Sequence, residues 1–244
     1  MATWKVTLEY DGTAYAGWQR QLDDPTIQAA VERALQDLTQ REVAVVGAGR
    51  TDAGVHALGQ VASFRSDRVM GPDEWTRGLN ALLPEDICVL STERVPDDFH
   101  ARYSARGKVY EYRILNRRER SALYSHRAWH VSAVLDLEAM RSAGGLVVGR
   151  HDFRSFQGPN SATQNPLCDL RRFDVREDDD MILIQVEADR FLKQMIRALV
   201  GTVVEIGQGK RSSRAMKEIL EAADRRAAGY TAPAHGLYLV RVDY

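Results

Sequence analysis

Cysteine is scarce in this chain. Cys88 and Cys168 are its only two, far apart and in no CxxC arrangement, which excludes a disulfide framework and a thiolate zinc site and fits a reducing cytoplasm. Long hydrophobic runs are also missing: no stretch approaches the roughly eighteen apolar residues of a membrane span. The opening MATWKVTLEYDG has neither a basic n-region nor an apolar h-region, so the sequence predicts a soluble, unexported, cytoplasmic protein with no membrane partner. Net charge is nearly absent, 33 Lys and Arg standing against 34 Asp and Glu. A nucleic-acid partner therefore has to be argued from how charge is distributed, not from its sum. No Pro/Gly/Ser-rich linker occurs around 96–107, and no residue-level repeat relates one half of the chain to the other. Two loosely tethered bodies are not expected.

What is present is a chain of 244 residues, 44% of them hydrophobic, long enough for one large domain or two modest ones around a real core. Charge is unevenly placed. ARYSARGKVYEYRILNRRER, 101–120, carries Arg102, Arg106, Lys108, Arg113, Arg117, Arg118 and Arg120 against two glutamates, while EDDD at 177–180 is acidic. The basic stretch either follows a phosphate backbone or is a solvated strand-and-loop surface.

WKVTLEY (4–10) alternates like a strand and runs into an Asp11-Gly12 turn. Pro25 opens a helix in which Ile27, Val31, Leu35 and Leu38 share one face. EVAVVGAG (42–49) and QVASFRS (60–66) read as strands, Pro72-Asp73 starts a helix that Pro84 ends, and ICVLSTERV (87–95) is a strand. KVYEYRIL (108–115) opens the second half as a strand, followed by a helix over 137–148. RRFDVRE and MILIQVEA form a hairpin about DDD, FLKQMIRALVGTVVEIG (191–207) and SRAMKEILEAAD are helices, and GLYLVRVDY closes as a strand. Helices alternating with antiparallel strand pairs predict an α+β protein, not a doubly wound parallel sheet. The expected architecture is two ferredoxin-like or RRM-like halves, 1–104 and 105–244, joined through a large mixed, mainly antiparallel central sheet with helices on one face. GPNSATQNPLC (158–168) fits no element.

The most informative segment is GAGRTDAGVHALGQVASF, 47–64, where a strand ends in small residues and presents Arg50, Thr51 and Asp52 together. Small residues on both sides give a ligand room to approach the backbone. An aspartate beside an arginine is held ionised, which suits a nucleophile or base and not an acid; the structural alternative is that Thr51-Asp52 caps a helix and the glycines make turns. A dinucleotide loop is excluded because GxGxxG would need Gly where Asp52 stands, and a P-loop because GK[ST] is missing.

Arg197 stands in a helix among Met195, Ile196, Leu199, Val200, Val203 and Ile206; a guanidinium in apolar company needs an anionic partner. Tyr110, in an alternating strand, reads as a half-buried sheet residue. His126 and His130 are four apart, yet their neighbours point to an extended segment and no HExxH is present, so no metal is expected.

GRTDAGVHALGQVA resembles the signature of the tRNA pseudouridine synthase A family, in which the aspartate of the RTDxGVHA run is catalytic. YDGTAYAGWQRQ (10–21), KVYEYRI (108–114), HDFRSF (151–156), FLKQMIRALVG (191–201) and GLYLVRVDY (236–244) are similar to further stretches of that family in the same order. The resemblance implies isomerisation of uridine to pseudouridine at positions 38, 39 and 40 of the tRNA anticodon arm by a homodimer that needs no cofactor. It implies Asp52 as the initiating residue, Tyr110 stacking on the flipped base and accepting a proton, Arg197 in a salt bridge to Asp52, and Arg50 following the flipping nucleotide. Asp52 acts by attacking the base, attacking the sugar carbon, or removing the neighbouring sugar proton. The competing readings are a non-catalytic RRM-like RNA-binding module, which gains nothing from a carboxylate facing phosphates, and a glycosidase-like hydrolase pairing Asp52 with Asp11.

Overall fold

The computed structural model describes residues 1–159, 161, 163 and 165–244. Its regular elements are β1 (Ala2–Tyr10), α1 (Ile27–Thr39), β2 (Val46–Gly47), β3 (His56–Ser66), α2 (Pro72–Asn80), β4 (Ile87–Val95), β5 (Gly107–Leu115) and β6 (Trp129–His130). These are followed by α3 (Leu137–Gly145), β7 (Gly149–Asp152), β8 (Leu167–Asp178), β9 (Met181–Ala188), α4 (Met195–Gly207), α5 (Ala215–Ala222) and β10 (Leu237–Asp243). Contacts divide the chain into Met1–Arg106 with Tyr238–Tyr244, and Gly107–Leu237.

The first unit has the β-α-β-β-α-β order that the sequence announces. β1 pairs antiparallel with β3 and β4, β2 pairs antiparallel with β3, and β10 lies parallel to β3 through Tyr238–His56 and Leu239–Ala57. That pairing places residues 238–244 with the first unit, where the sequence reading had assigned them to the second half. Gly59 permits it: a Cβ there would sit 2.4 Å from the Val240 carbonyl oxygen. The helices bury the apolar faces expected of amphipathic segments: Ile27, Val31, Ala34 and Leu35 from α1, Trp75 and Leu79 from α2. Trp75 is fully buried and meets Phe64 edge-on at 5.1 Å and Trp4 at 5.8 Å.

Several boundaries differ from the sequence reading for identifiable reasons. The cap of α1 is Thr26, not Pro25, its hydroxyl accepting from the Ala29 N–H at 3.4 Å. The expected strand over 42–49 shrinks to Val46–Gly47 because the backbone of Val45 is taken by α1: its N–H donates to Glu32 Oε1 and its carbonyl accepts from Gln28 Nε2. α2 stops before Pro84, at Asn80, whose side-chain amide bonds both the N–H and the carbonyl of Val89 and ties the helix end to β4.

The second unit repeats the scheme with β5, α3, β8, β9 and α4, its sheet running β5-β9-β8-β7 with β6 parallel to β5. The first and third long strands are again neighbours, β5 with β9, antiparallel from Lys108–Ala188 to Leu115–Met181. α4 is buried nearly all round, only Arg197 and Glu205 keeping partial exposure. It begins at Met195, four residues later than the sequence indicates. Gln194 is left-handed at φ 58°, and the Lys193 carbonyl is turned outward to accept from the Gly158 N–H at 2.7 Å. Asn160, Ala162 and Gln164 of the unplaced 158–168 segment lie outside the described residues. The α+β class holds for both units.

Candidate active site

Asp52 stands half-buried in the loop between β2 and β3. The chain does not cap a helix there: it turns through Ala53 and Gly54 at φ 76° and enters β3 at His56. The loop is moulded by the YDGTAYAGWQRQ segment. The Trp18 N–H donates to the Thr51 carbonyl at 3.1 Å and the Gly54 N–H to the Tyr15 carbonyl at 3.3 Å. This approach of two backbones demands glycine. Gly17 is left-handed at φ 99°, and a Cβ on it would meet the Thr51 carbonyl oxygen at 2.5 Å; one on Gly12 would meet the Val55 carbonyl oxygen at 2.0 Å. The Trp18 indole lies directly on Gly47, where a Cβ would come to 2.5 Å from ring atoms.

Beneath the loop runs a buried polar network that the sequence reading missed. The hydroxyls of Tyr10 and Thr51 are 2.9 Å apart. Gln60, fully buried, donates from Nε2 to the Gly49 carbonyl at 2.9 Å and lies 3.5 Å from the Tyr10 oxygen. Burial pushes the Tyr10 phenol up to about 12, so it remains a protonated donor at neutral pH. His56, also buried, accepts the Gly12 N–H at Nδ1 (3.1 Å) and stacks on Tyr238 at 4.7 Å. The resemblance of YDGTAYAGWQRQ was the available signal; strand alternation alone presents Tyr10 as ordinary core. Replacing Tyr10 by Phe removes a partner from two buried polar groups and should cost about 1–3 kcal/mol. The check is a lower urea midpoint with an unchanged m-value; an unmoved midpoint would show that the network holds nothing.

Arg50 is exposed, with Nε donating to Gln19 Oε1 at 3.0 Å. Asp11 is drawn into its own turn, Oδ1 accepting from the Thr13 N–H at 3.0 Å and from the Thr13 hydroxyl. A carboxylate used as an acceptor in this way is poorly suited to the acid role that a hydrolase would require of it.

Tyr110 and Arg197 belong to the second unit. Tyr110 is 6% exposed on β5, opposite Val186 of β9, and meets the ring of Phe191 edge-on at 5.2 Å. Arg197, in the first turn of α4, is clamped to residue 232: its Nε donates to the Ala232 carbonyl at 2.7 Å, and the Ala232 N–H donates to its own carbonyl at 3.0 Å. The 229–232 strand of chain lies so close that a Cβ on Gly201 would meet the Tyr230 carbonyl oxygen at 1.9 Å. Burial raises the Tyr112 phenol well above its usual range, and the positive charge of Arg197 opposes that rise. The basic stretch is partly self-neutralised, Arg113 pairing with Glu111 and Arg117 with Asp180 of the acidic run, both at 3.0 Å. His130 lies in β6, not on a helix, with Nε2 2.8 Å from the Arg117 carbonyl.

The sequence family described as tRNA pseudouridine synthase matches residues 7–104 and 145–244. The chain belongs to that family. Arg50, Asp52 and Arg197 fall inside the matched blocks, and Tyr110 falls in the interval between them. Its relatives include a tRNA pseudouridine synthase A of Afipia carboxidovorans, 45% identical over 245 residues that span 100% of both chains. One from Myxococcus xanthus is 45% identical over 98% of this chain and 91% of its own. Another, from Acetivibrio thermocellus, is 43% identical over 98% of each. Among the described residues no helix is long and apolar enough to cross a membrane.

Proposed function

We propose that this protein converts uridine to pseudouridine in tRNA, at positions 38, 39 and 40 of the anticodon arm, acting as a homodimer in the cytoplasm. The reaction breaks the N-glycosidic bond, turns the uracil, and joins its C5 to the same sugar carbon; the C5 proton then leaves. Atoms are conserved and no electron acceptor is consumed. The reacting atoms are stacked inside the stem-loop, so the nucleotide has to be extruded at a cost of roughly a few kcal/mol.

The observation that carries this reading is the placement of Asp52. In a chain of this family, the carboxylate belongs to a loop whose backbone is tied by Trp18, Tyr15 and Gln60 and whose Thr51 hydroxyl is held by Tyr10. A fixed nucleophile or base needs that preorganisation. Asp52 begins the chemistry by one of the three routes named above. Arg197 pairs with Asp52 and orients it, and Arg50 occupies the space or holds the phosphate of the flipped nucleotide. Tyr110 offers its ring to the base and its oxygen to the departing C5 proton.

The test is tritium release from tRNA labelled at C5 of uridine, with mapping of the modified positions. Release accompanied by pseudouridine at 38–40 is expected; intact label would sink the reading, and free uracil would mark a hydrolase. Tyr110→Phe keeps the stacking ring and loses the oxygen, so it should bind tRNA normally and release tritium about 10²-fold or more slowly, the usual contribution of a positioned acid–base group. Turnover at the parental rate would remove Tyr110 from the proton transfer.

A further inference from the structure

One aromatic side chain in the first unit is presented to solvent where core packing gives it no reason to be. Tyr103 is 77% exposed, in the turn that links β4 to Arg106. The turn itself is tightly fixed. Ala101 is fully buried and packs with Ala48 and Val61, with Phe99, Val242 and Tyr244 around them. Its N–H donates to Ser63 Oγ at 3.2 Å and its carbonyl accepts from the Tyr244 hydroxyl at 2.7 Å. The imidazole of His100 is fixed as well: Nδ1 accepts from the backbone N–H groups of Arg102 and Tyr103, both at 3.2 Å. His100 lies against the Tyr103 ring with centroids 4.3 Å apart and planes inclined by 31°. The Arg102 guanidinium stands 5.7 Å from the same ring centroid.

An exposed aromatic ring on a turn held by these bonds, supported by a second ring and with a guanidinium over it, is a preorganised surface for a planar ligand. Protein docking sites cluster several apolar anchors around a desolvated centre. Here a single ring is surrounded by polar and charged groups, which suits a nucleobase. Its location supports the same ligand. Ala48, on which the turn is packed, belongs to the GAG run that leads into Arg50 and Asp52. The acidic pair Asp97 and Asp98 precedes the turn and is exposed. Their charges make the stretch that leads into the turn a poor seat for a phosphodiester, whereas the ring suits the uncharged face of a base.

We propose that Tyr103, together with His100 and Arg102 against its ring, is a stacking platform for an unpaired nucleobase of the tRNA substrate. The proposal rests on the function proposed above, since it requires RNA to lie along this unit beside the Asp52 loop.

The experiment compares the parent with Tyr103→Phe, Tyr103→Leu and Arg102→Gln in binding an unmodified tRNA transcript, titrated at several salt concentrations. Base stacking on an aromatic is worth about 1–3 kcal/mol by truncation, so Tyr103→Leu should weaken binding about 5- to 150-fold. Its salt slope should stay parental, because no phosphate contact is lost. Tyr103→Phe keeps the π-face and should bind within about twofold of the parent. Arg102→Gln should weaken binding with little change in slope if the guanidinium stacks, and with a slope lower by about one if it holds a phosphate; the latter would overturn its part in the platform. Parental binding by Tyr103→Leu overturns the proposal, and so does equal loss in the Phe and Leu variants, which would assign the effect to the hydroxyl. Thermal unfolding of each variant guards against a folding defect. Pseudouridine formation by the parent in the same preparation is a separate readout. With it present, failure of the Tyr103 series counts against the platform alone; with tRNA binding absent from the parent, both readings fall.

Discussion

Replacing Asp52 by Asn should abolish isomerisation while leaving the fold and tRNA affinity close to parental. The substitution is isosteric and removes the negative charge that each of the three routes requires. A general base alone is worth 10²–10⁴-fold and a nucleophile is not replaceable by an amide, so tritium release should fall by about 10³-fold or more. The loop should survive, because several backbone bonds hold it. Trp18 binds the Thr51 carbonyl, the Val55 N–H binds the Asp52 backbone carbonyl, and Gly54 binds Tyr15, none of them through the Asp52 carboxylate. Binding and chemistry therefore separate in one variant: anisotropy titrations within a few-fold of the parent beside a lost turnover. Release at the parental rate would move the chemistry to another residue. Loss of tRNA binding in parallel with activity would instead make Asp52 a residue of substrate docking.

The Arg-Thr-Asp loop was legible in the sequence and its supports were not. A polar triplet flanked by small residues interrupts the apolar stretches on either side of it, so it stands out. Tyr10 and Gln60 have a packing role in appearance, each at a buried position of a strand, and what distinguishes them is their bonds to the loop, Tyr10 to the Thr51 hydroxyl and Gln60 to the Gly49 carbonyl. Regular elements were legible where periodicity was long and clean: β4 occupies the residues 87–95 read from alternation. Periodicity failed where the backbone finds side-chain or distant partners. Val45 gives its hydrogen bonds to Glu32 and Gln28, and Lys193 gives its carbonyl to Gly158. β6 and β7, of two and four residues, are too short to carry a period at all. The weak link between composition and function is plainest in the basic stretch, where Arg113 and Arg117 are consumed by carboxylates and the exposed ring of Tyr103 carries more meaning than the charge count around it.

The second large effect is expected at Arg197. Its guanidinium is one of two charged side chains that α4 leaves partly exposed, and one of its five N–H groups is already committed to the Ala232 carbonyl at 2.7 Å. That bond, with the return bond from the Ala232 N–H, ties the guanidinium to residue 232, and a guanidinium fork orients a carboxylate as well as neutralising it. If Arg197 is the proposed partner of Asp52, Arg197→Gln withdraws the cation that orients the carboxylate. kcat at neutral pH, measured well below the melting temperature, should then drop by about 10²-fold. Arg197→Lys should recover little, since a point charge on a flexible stem reproduces neither the fork nor the Ala232 bond. Both variants lose that bond and should be less stable by about 1–3 kcal/mol, so stability alone does not discriminate. Turnover well below the melting temperature does. A variant with lowered stability and parental kcat under those conditions would make Arg197 a clamp between α4 and Ala232 and nothing more.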